Sequence, residues 1–99
     1  MNDEQFFAPP AFKPDEALQQ LKRALRDSRS LSERNNQFSL QGQVVLELSV
    51  ADSILHARLA KRPARSPDWD LRDCKNSSEA RALQDEIKRR LARWTDETP

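Results

Sequence analysis

The sequence predicts a small α+β domain of two layers in the order αβββα, a three-stranded antiparallel meander with both helices on one of its faces. Three observations predict it. Residues 38–50 alternate apolar with polar side chains, and the alternation resumes on the opposite parity over residues 55–59. Two apolar stripes at helical spacing flank this ribbon, over residues 17–28 and 80–94, and a third, shorter alternation spans residues 68–74.

In the ribbon, Phe38, Leu40, Gly42, Val44, Leu46, Leu48 and Val50 share one parity, while Ser39, Gln41, Gln43, Glu47 and Ser49 share the other. One face is therefore buried and the other wetted. Only Val45 and Ala51 break the pattern. A two-residue turn at Asp52-Ser53 accounts for the later parity switch. It sets Ala51 against Ile54, Val50 against Leu55, Leu48 against Ala57 and Leu46 against Leu59, with every apolar pair on one side of a hairpin. Gly42 reads as a bulge or bend in one long strand, although a three-residue loop Gln41-Gly42-Gln43 would preserve parity equally well. In this meander the hairpin's second strand, Ile54 to Arg62, is central.

Pro14 suits the first position of a helix, with Asp15 and Glu16 at its positive end. Ala17, Leu18, Leu21, Ala24, Leu25 and Ser28 form its apolar stripe, and Lys22, Arg23, Arg26 and Arg29 crowd its later turns. Ser28 to Asn36 is a polar linker ending in the turn signal Asn35-Asn36. After Leu59, a loop bracketed by Pro63 and Pro67 leads to Asp68–Cys74, with Trp69 and Leu71 on its apolar parity. That alternation marks a third strand. Asn76 is a fitting N-cap for the last helix, and Glu79 can close a capping box. Ala80, Leu83, Ile87, Leu91 and Trp94 form the stripe that covers the sheet, while Asp85 with Arg89 and Glu86 with Arg90 are acid-before-base pairs on the other side.

The domain organisation expected is a flexible Phe/Pro-rich arm over residues 1–13, a single domain over 14–94 and a frayed acidic tail over 95–99. The arm carries Phe6, Phe7 and Phe12 around Pro9-Pro10, which favour extended geometry. Phe12 and Phe7 are expected to tuck against the domain edge, and the arm also has the character of a docking peptide for an aromatic-lined groove.

Composition narrows the function. Charged residues make up 33% of the 99-residue chain and mean hydropathy is -0.90, with no apolar run that spans a bilayer, so a soluble protein without membrane contact is expected. The acidic N-terminus lacks the basic and apolar regions of a signal peptide, and one cysteine cannot form an internal disulfide, which points to the cytoplasm. A formal charge of +1 is far from that of a dedicated nucleic-acid binder. Gly42 is the sole glycine, which excludes glycine-rich phosphate loops, and one histidine with one cysteine cannot build a four-ligand zinc site. No cofactor is expected. Asp68, Asp70 and Asp73 are not a metal cluster, because alternation sets Asp73 on the opposite face.

The order of elements resembles that of double-stranded-RNA-binding domains. The resemblance implies readout of A-form RNA by a basic start to the second helix. Here Lys75 is the sole basic residue ahead of Asn76, Ser77, Ser78 and Glu79, so no residue roles carry over.

The function expected is that of a small non-catalytic protein-interaction module whose partner is another protein or a second copy. It would use the outer sheet face, with Val45, Glu47, His56, Arg58 and Arg72, or a strand edge. The alternative is nucleic-acid binding through Arg58, Lys61, Arg62 and Arg65, helped by Lys22, Arg23 and Arg26 of the first helix, with Trp69 partly exposed for stacking. An enzyme ranks last. Its best nucleophilic pair is Cys74 with His56, set opposite each other if Arg62 faces Asp68 across a five-residue loop.

Overall fold

The computed structural model describes residues 12–28 and 30–96. Helix α1 (Pro14–Arg26) leads into five strands, β1 (Leu31–Arg34), β2 (Gln37–Leu40), β3 (Gln43–Ala51), β4 (Ile54–Ala60) and β5 (Trp69–Cys74), and helix α2 (Ser77–Asp96) follows. The strands form one antiparallel sheet in chain order, β1-β2-β3-β4-β5. The class is α+β as expected, but the sheet has five strands rather than three and its middle strand is β3, not β4. The element order is therefore not that of the RNA-binding domains it resembled.

Two of the extra boundaries are turns. Asn35-Asn36 is a turn, as its composition signalled, but the polar segment before it is paired: Leu31 lies opposite Leu40 and Arg34 opposite Gln37. The long strand through Gly42 is two strands. Gln41 (φ 52) and Gly42 (φ 84) both take left-handed backbone, the geometry of a two-residue hairpin turn whose twist matches its strands. Leu40 then faces Gln43, and Ser39 faces Val44. Val45 is skipped, and pairing resumes with Phe38 opposite Leu46, so Val45 is the extra residue of a β-bulge. Val45 and Leu46 are consequently both buried.

The β3–β4 hairpin has the expected register. Asp52 (φ 54) and Ser53 (φ 62) form the turn, and Val50, Leu48 and Leu46 face Leu55, Ala57 and Leu59.

One hydrophobic cluster joins both helices to one face of the sheet. Leu18, Leu21 and Leu25 of α1 and Leu83, Ile87, Leu91 and Trp94 of α2 pack with Phe38, Leu46, Leu48, Leu55 and Leu59. Each large apolar side chain removed from water contributes roughly 1.5–3 kcal/mol, so this shared cluster holds the two layers together. Phe12 packs against it, as expected of the end of the arm. Residues 1–11, with Phe6, Phe7 and the Pro9-Pro10 pair, lie outside the described residues, as do residues 97–99. The tail begins inside α2, where Thr95 donates its hydroxyl to the Leu91 carbonyl at 2.8 Å.

The start of α2 follows its capping signals. Glu79 N–H donates to Asn76 Oδ1 at 2.8 Å, and the Glu79 carboxylate returns to accept from Lys75 N–H at 2.8 Å, one residue earlier than in the usual box.

Candidate interaction surface

Turn phase and register decide which side chains reach the outer face, away from the helices. On β4 they are Ile54, His56 and Arg58, and the β5 residues opposite are Asp73 to His56 and Leu71 to Arg58. Trp69, opposite Ala60, shares that face. Trp69 and Leu71 are thus on the outer side of the sheet, where Trp69 is half-buried and packs against the margin of the core cluster while Leu71 is exposed. The β4–β5 register differs by one residue from the expected one, because Leu55, not His56, faces Cys74. The inward residues of β5 are Asp70, Arg72 and Cys74. Arg72 and Val45, both expected on the outer face, face inward, Val45 because of the bulge.

Charge pairing across the layers explains this unexpected inner row. Arg90 of α2 is buried, and its Nη2 donates to Asp70 Oδ2 at 2.8 Å, its Nε to Glu86 Oε2 at 2.7 Å and its Nη1 to the Ala60 carbonyl at 2.9 Å. Burial alone would lower the Arg90 pKa, but the hydrogen bonds to Glu86 and Asp70 outweigh it and leave the pKa raised. The same bonds to Arg90 are the main reason that Asp70 and Glu86 lie below the ordinary carboxylate range. A buried guanidinium with its donors satisfied makes an inward aspartate tolerable. Arg89, by contrast, is exposed and pairs with Glu86 at 3.3 Å rather than with Asp85.

The outer face carries a connected polar row. Gln37, Glu47, Arg58 and Leu71 lie side by side on β2, β3, β4 and β5. Gln37 Nε2 and Arg58 Nη1 each donate to the Glu47 carboxylate at 2.8 Å. The Arg58 guanidinium carbon lies 4.6 Å from the centroid of the Trp69 ring. In the next row His56 Nδ1 is 2.7 Å from Asp73 Oδ1. Leu71 ends the first row at 69% exposure, the one large hydrophobic so exposed among the described residues. Gln37, Glu47, Ser49, His56, Arg58 and Leu71 line a shallow depression of about 310 Å³.

The basic residues singled out from sequence divide among three places. Arg58 is in the outer row. Lys61 lies 3.7 Å from Asp70, and Arg62 and Arg65 are exposed in the β4–β5 loop with no ion pair among the described residues. Lys22 and Arg26 of α1 both hold Glu33 of β1, at 3.4 and 3.1 Å, while Arg23 is exposed on the same helix. The Arg26 bond and then the Lys22 bond pull the Glu33 pKa down against its burial. Because α1 packs on the inner face, its basic residues and Arg58 belong to opposite sides of the sheet.

Cys74 is buried at 2% exposure, and burial followed by the charges of Glu79 and Asp73 pushes its pKa up. Its thiol and His56 occupy opposite faces, so they form no dyad. Among the described residues, no three His, Cys, Asp or Glu side chains are placed to hold a metal ion, and no helix is long and apolar enough to cross a membrane.

Glu47, His56 and Arg58 were legible as outer-face residues from alternation. Trp69 and Leu71 were missed because their apolar character argued for the core, and the signal that could have placed them is Cys74, whose residue type is among those most often fully buried and which lies on the opposite parity. No family model matches this chain, and neither a curated protein nor a solved structure does.

Proposed function

We propose that the protein is a small, cytoplasmic, non-catalytic interaction module that docks a protein partner on the outer face of its sheet and the adjoining edge of β5. The observation that carries this reading is Leu71, 69% exposed at the end of an ordered row of side chains. A half-buried Trp69 with Arg58 stacked on it supplies the residue types that dominate binding energy at protein interfaces, and the large aliphatic Leu71 held in water beside them adds apolar area for a partner to cover. The ion pairs and hydrogen bonds around it pre-order the surface, which lowers the entropy lost on binding.

The test is quantitative affinity capture by the wild-type chain and by the Leu71→Asp and Trp69→Ala variants, followed by titration of the purified candidate. A partner that both variants bind at least about tenfold more weakly supports the reading, a factor that a hot-spot residue readily supplies. Partners held equally by all three chains count against it.

A second reading, nucleic-acid binding, is favoured by one observation: Trp69 reaches the surface next to Arg58 and near the loop that carries Arg62 and Arg65. Amide shifts on titration with duplex RNA, duplex DNA and a single strand would cluster on Arg58 to Arg65 and fade with salt. Replacing Arg62 and Arg65 by alanine would flatten the salt slope, and an unchanged slope would exclude that loop.

A further inference from the structure

The two edges of the sheet differ. β1 has 4 residues and its Glu33 is held by Lys22 and Arg26 of α1, whereas β5 has 6 and pairs only with β4 among the described residues. The phase of its hydrogen bonding follows from two independent facts. A two-residue turn closes on a hydrogen-bonded pair, here Ala51 and Ile54, so Ile54, His56 and Arg58 bond toward β3 and Leu55, Ala57 and Leu59 bond toward β5. Lys61 N–H donates to the Asp68 carbonyl at 2.9 Å, in the same phase. Asp70, Arg72 and Cys74 therefore spend their backbone groups on β4, and the N–H and C=O groups of Trp69, Leu71 and Asp73 point outward at the open edge.

We infer that this edge pairs antiparallel with β5 of a second copy, about a two-fold axis through Leu71. The inference rests on the interaction reading above and names its partner. Only odd-numbered residues offer outward backbone groups, so the two-fold registers are few, and side-chain charge separates them. With the axis at Leu71, Leu71 meets its own copy on the outer face, Trp69 meets Asp73, and on the inner face Asp70 meets Arg72 twice. Centring on Asp70 opposes aspartate to aspartate, and centring on Arg72 opposes arginine to arginine, both unfavourable across a strand pair. Inward charges on an edge strand deter indiscriminate pairing. Centring on Trp69 opposes Asp68 to Asp70, and centring on Asp73 opposes that aspartate to itself, so one self-complementary register is left. Arg72 is exposed and makes no ion pair among the described residues, so its guanidinium is available to the partner's carboxylate. The helix side of the edge is open too: a depression of about 330 Å³ runs between β5 and α2, lined by Arg72, Cys74, Glu79, Ala82 and Arg89. The pairing joins the sheets of two molecules with all four helices on one side and places the two Leu71 side chains together, out of water.

Sedimentation equilibrium of the full chain from micromolar to millimolar concentration tests this. A reversible monomer–dimer equilibrium is expected, weakened at least about tenfold by Arg72→Asp, which sets like charges against each other. Leu71→Asp weakens it similarly, and both sites are exposed, so unchanged melting curves confirm that the variants fold. Under mild oxidation Leu71→Cys yields a disulfide-linked dimer, since residues facing each other across a strand pair lie within disulfide range. Asp73→Cys, which meets Trp69 rather than itself, links far more slowly, and the buried Cys74 does not compete. A chain that stays monomeric to millimolar concentration overturns the inference, as does an Asp73→Cys variant that links as fast as Leu71→Cys. A monomer that still binds a protein through Leu71 overturns self-pairing alone and leaves the interaction reading in place.

Discussion

The guanidinium carbon of Arg58 sits 4.6 Å from the centre of the Trp69 ring while the same group donates to Glu47 at 2.8 Å. A cation held over an indole at the surface is worth about 0.5–1 kcal/mol and, more to the point, shields one ring face. Arg58→Ala is therefore expected to cost at most about 1 kcal/mol in urea unfolding. It should also raise the acrylamide quenching of tryptophan emission, and Glu47→Gln should do so to a smaller extent. Trp94 is buried and supplies a constant background. Equal quenching in wild type and Arg58→Ala would show that the stack does not persist in solution.

Arg90 joins α2 to the sheet, so its loss should loosen the layers rather than unfold one element. Arg90→Leu removes charge-assisted hydrogen bonds from a buried site and leaves the Ala60 carbonyl without that donor. A cost of about 1.5–3 kcal/mol is expected, read as a lower urea midpoint with an unchanged slope.

Acid should act through the same group. Asp70, Glu86 and Glu33 have folded pKa values below their unfolded ones, so the folded chain binds fewer protons and their contribution is fully present above the ordinary carboxylate range. It is lost as pH falls through the lowered folded values. Stability should be level near neutrality and decline below about pH 4, where unfolded carboxylates take up protons. In Arg90→Leu that decline should be shallower, since Asp70 keeps only Lys61 at 3.7 Å and Glu86 only the exposed Arg89 at 3.3 Å, while Glu33 keeps both its partners. An identical decline in both chains would remove Arg90 as the cause.

The turns give a separate prediction. Ser53 adopts φ 62 and Gln41 φ 52, left-handed conformations that non-glycine residues adopt at a cost. Ser53→Gly should stabilise the hairpin by roughly 0.5–1 kcal/mol once the entropy of glycine is offset. Gly42→Ala should destabilise by about 1 kcal/mol although nothing lies within 4 Å of the added methyl, because the strain is in the backbone at φ 84. Thermal melting of the two variants, moving in opposite directions, checks both.

The same turn explains what could be read from the sequence and what could not. A two-residue turn at Gln41-Gly42 moves the inward parity from even to odd positions, and the bulge at Val45 moves it back. The two shifts cancel, so the apolar parity is the same at Phe38 and Val50 and the segment reads as one strand. Only Val45, apolar on the polar parity, betrayed the bulge. The β3–β4 hairpin had a single uncompensated switch, and its register was legible to the residue. β1 was not legible, because Leu31-Ser32-Glu33-Arg34 carries one apolar residue and is held by Lys22 and Arg26 on a helix several residues upstream. The β5 register was misread for a similar reason: its inward Asp70 is acceptable only because Arg90, twenty residues on, neutralises it. Contacts distant in sequence override local alternation at both edges of the sheet, and β5 is where the candidate surface lies.

Cys74 provides the last prediction, and it bears on the enzyme alternative. Its side chain faces Leu55 across the strand pair on the inner side of the sheet, at 2% exposure, and burial raises its pKa with help from Glu79 and Asp73. A reactive cysteine needs the reverse, an accessible thiolate stabilised by nearby positive charge. Alkylation of the native chain by iodoacetamide at pH 8 should be far slower than that of the urea-unfolded chain, and its rate should follow the population of opened molecules as urea rises. Ser53→Gly should slow it and Arg90→Leu should speed it, in proportion to their effects on stability. A native rate equal to or above that of the unfolded chain would mean that the thiol is exposed and activated, and would bring nucleophilic chemistry at Cys74 back into contention.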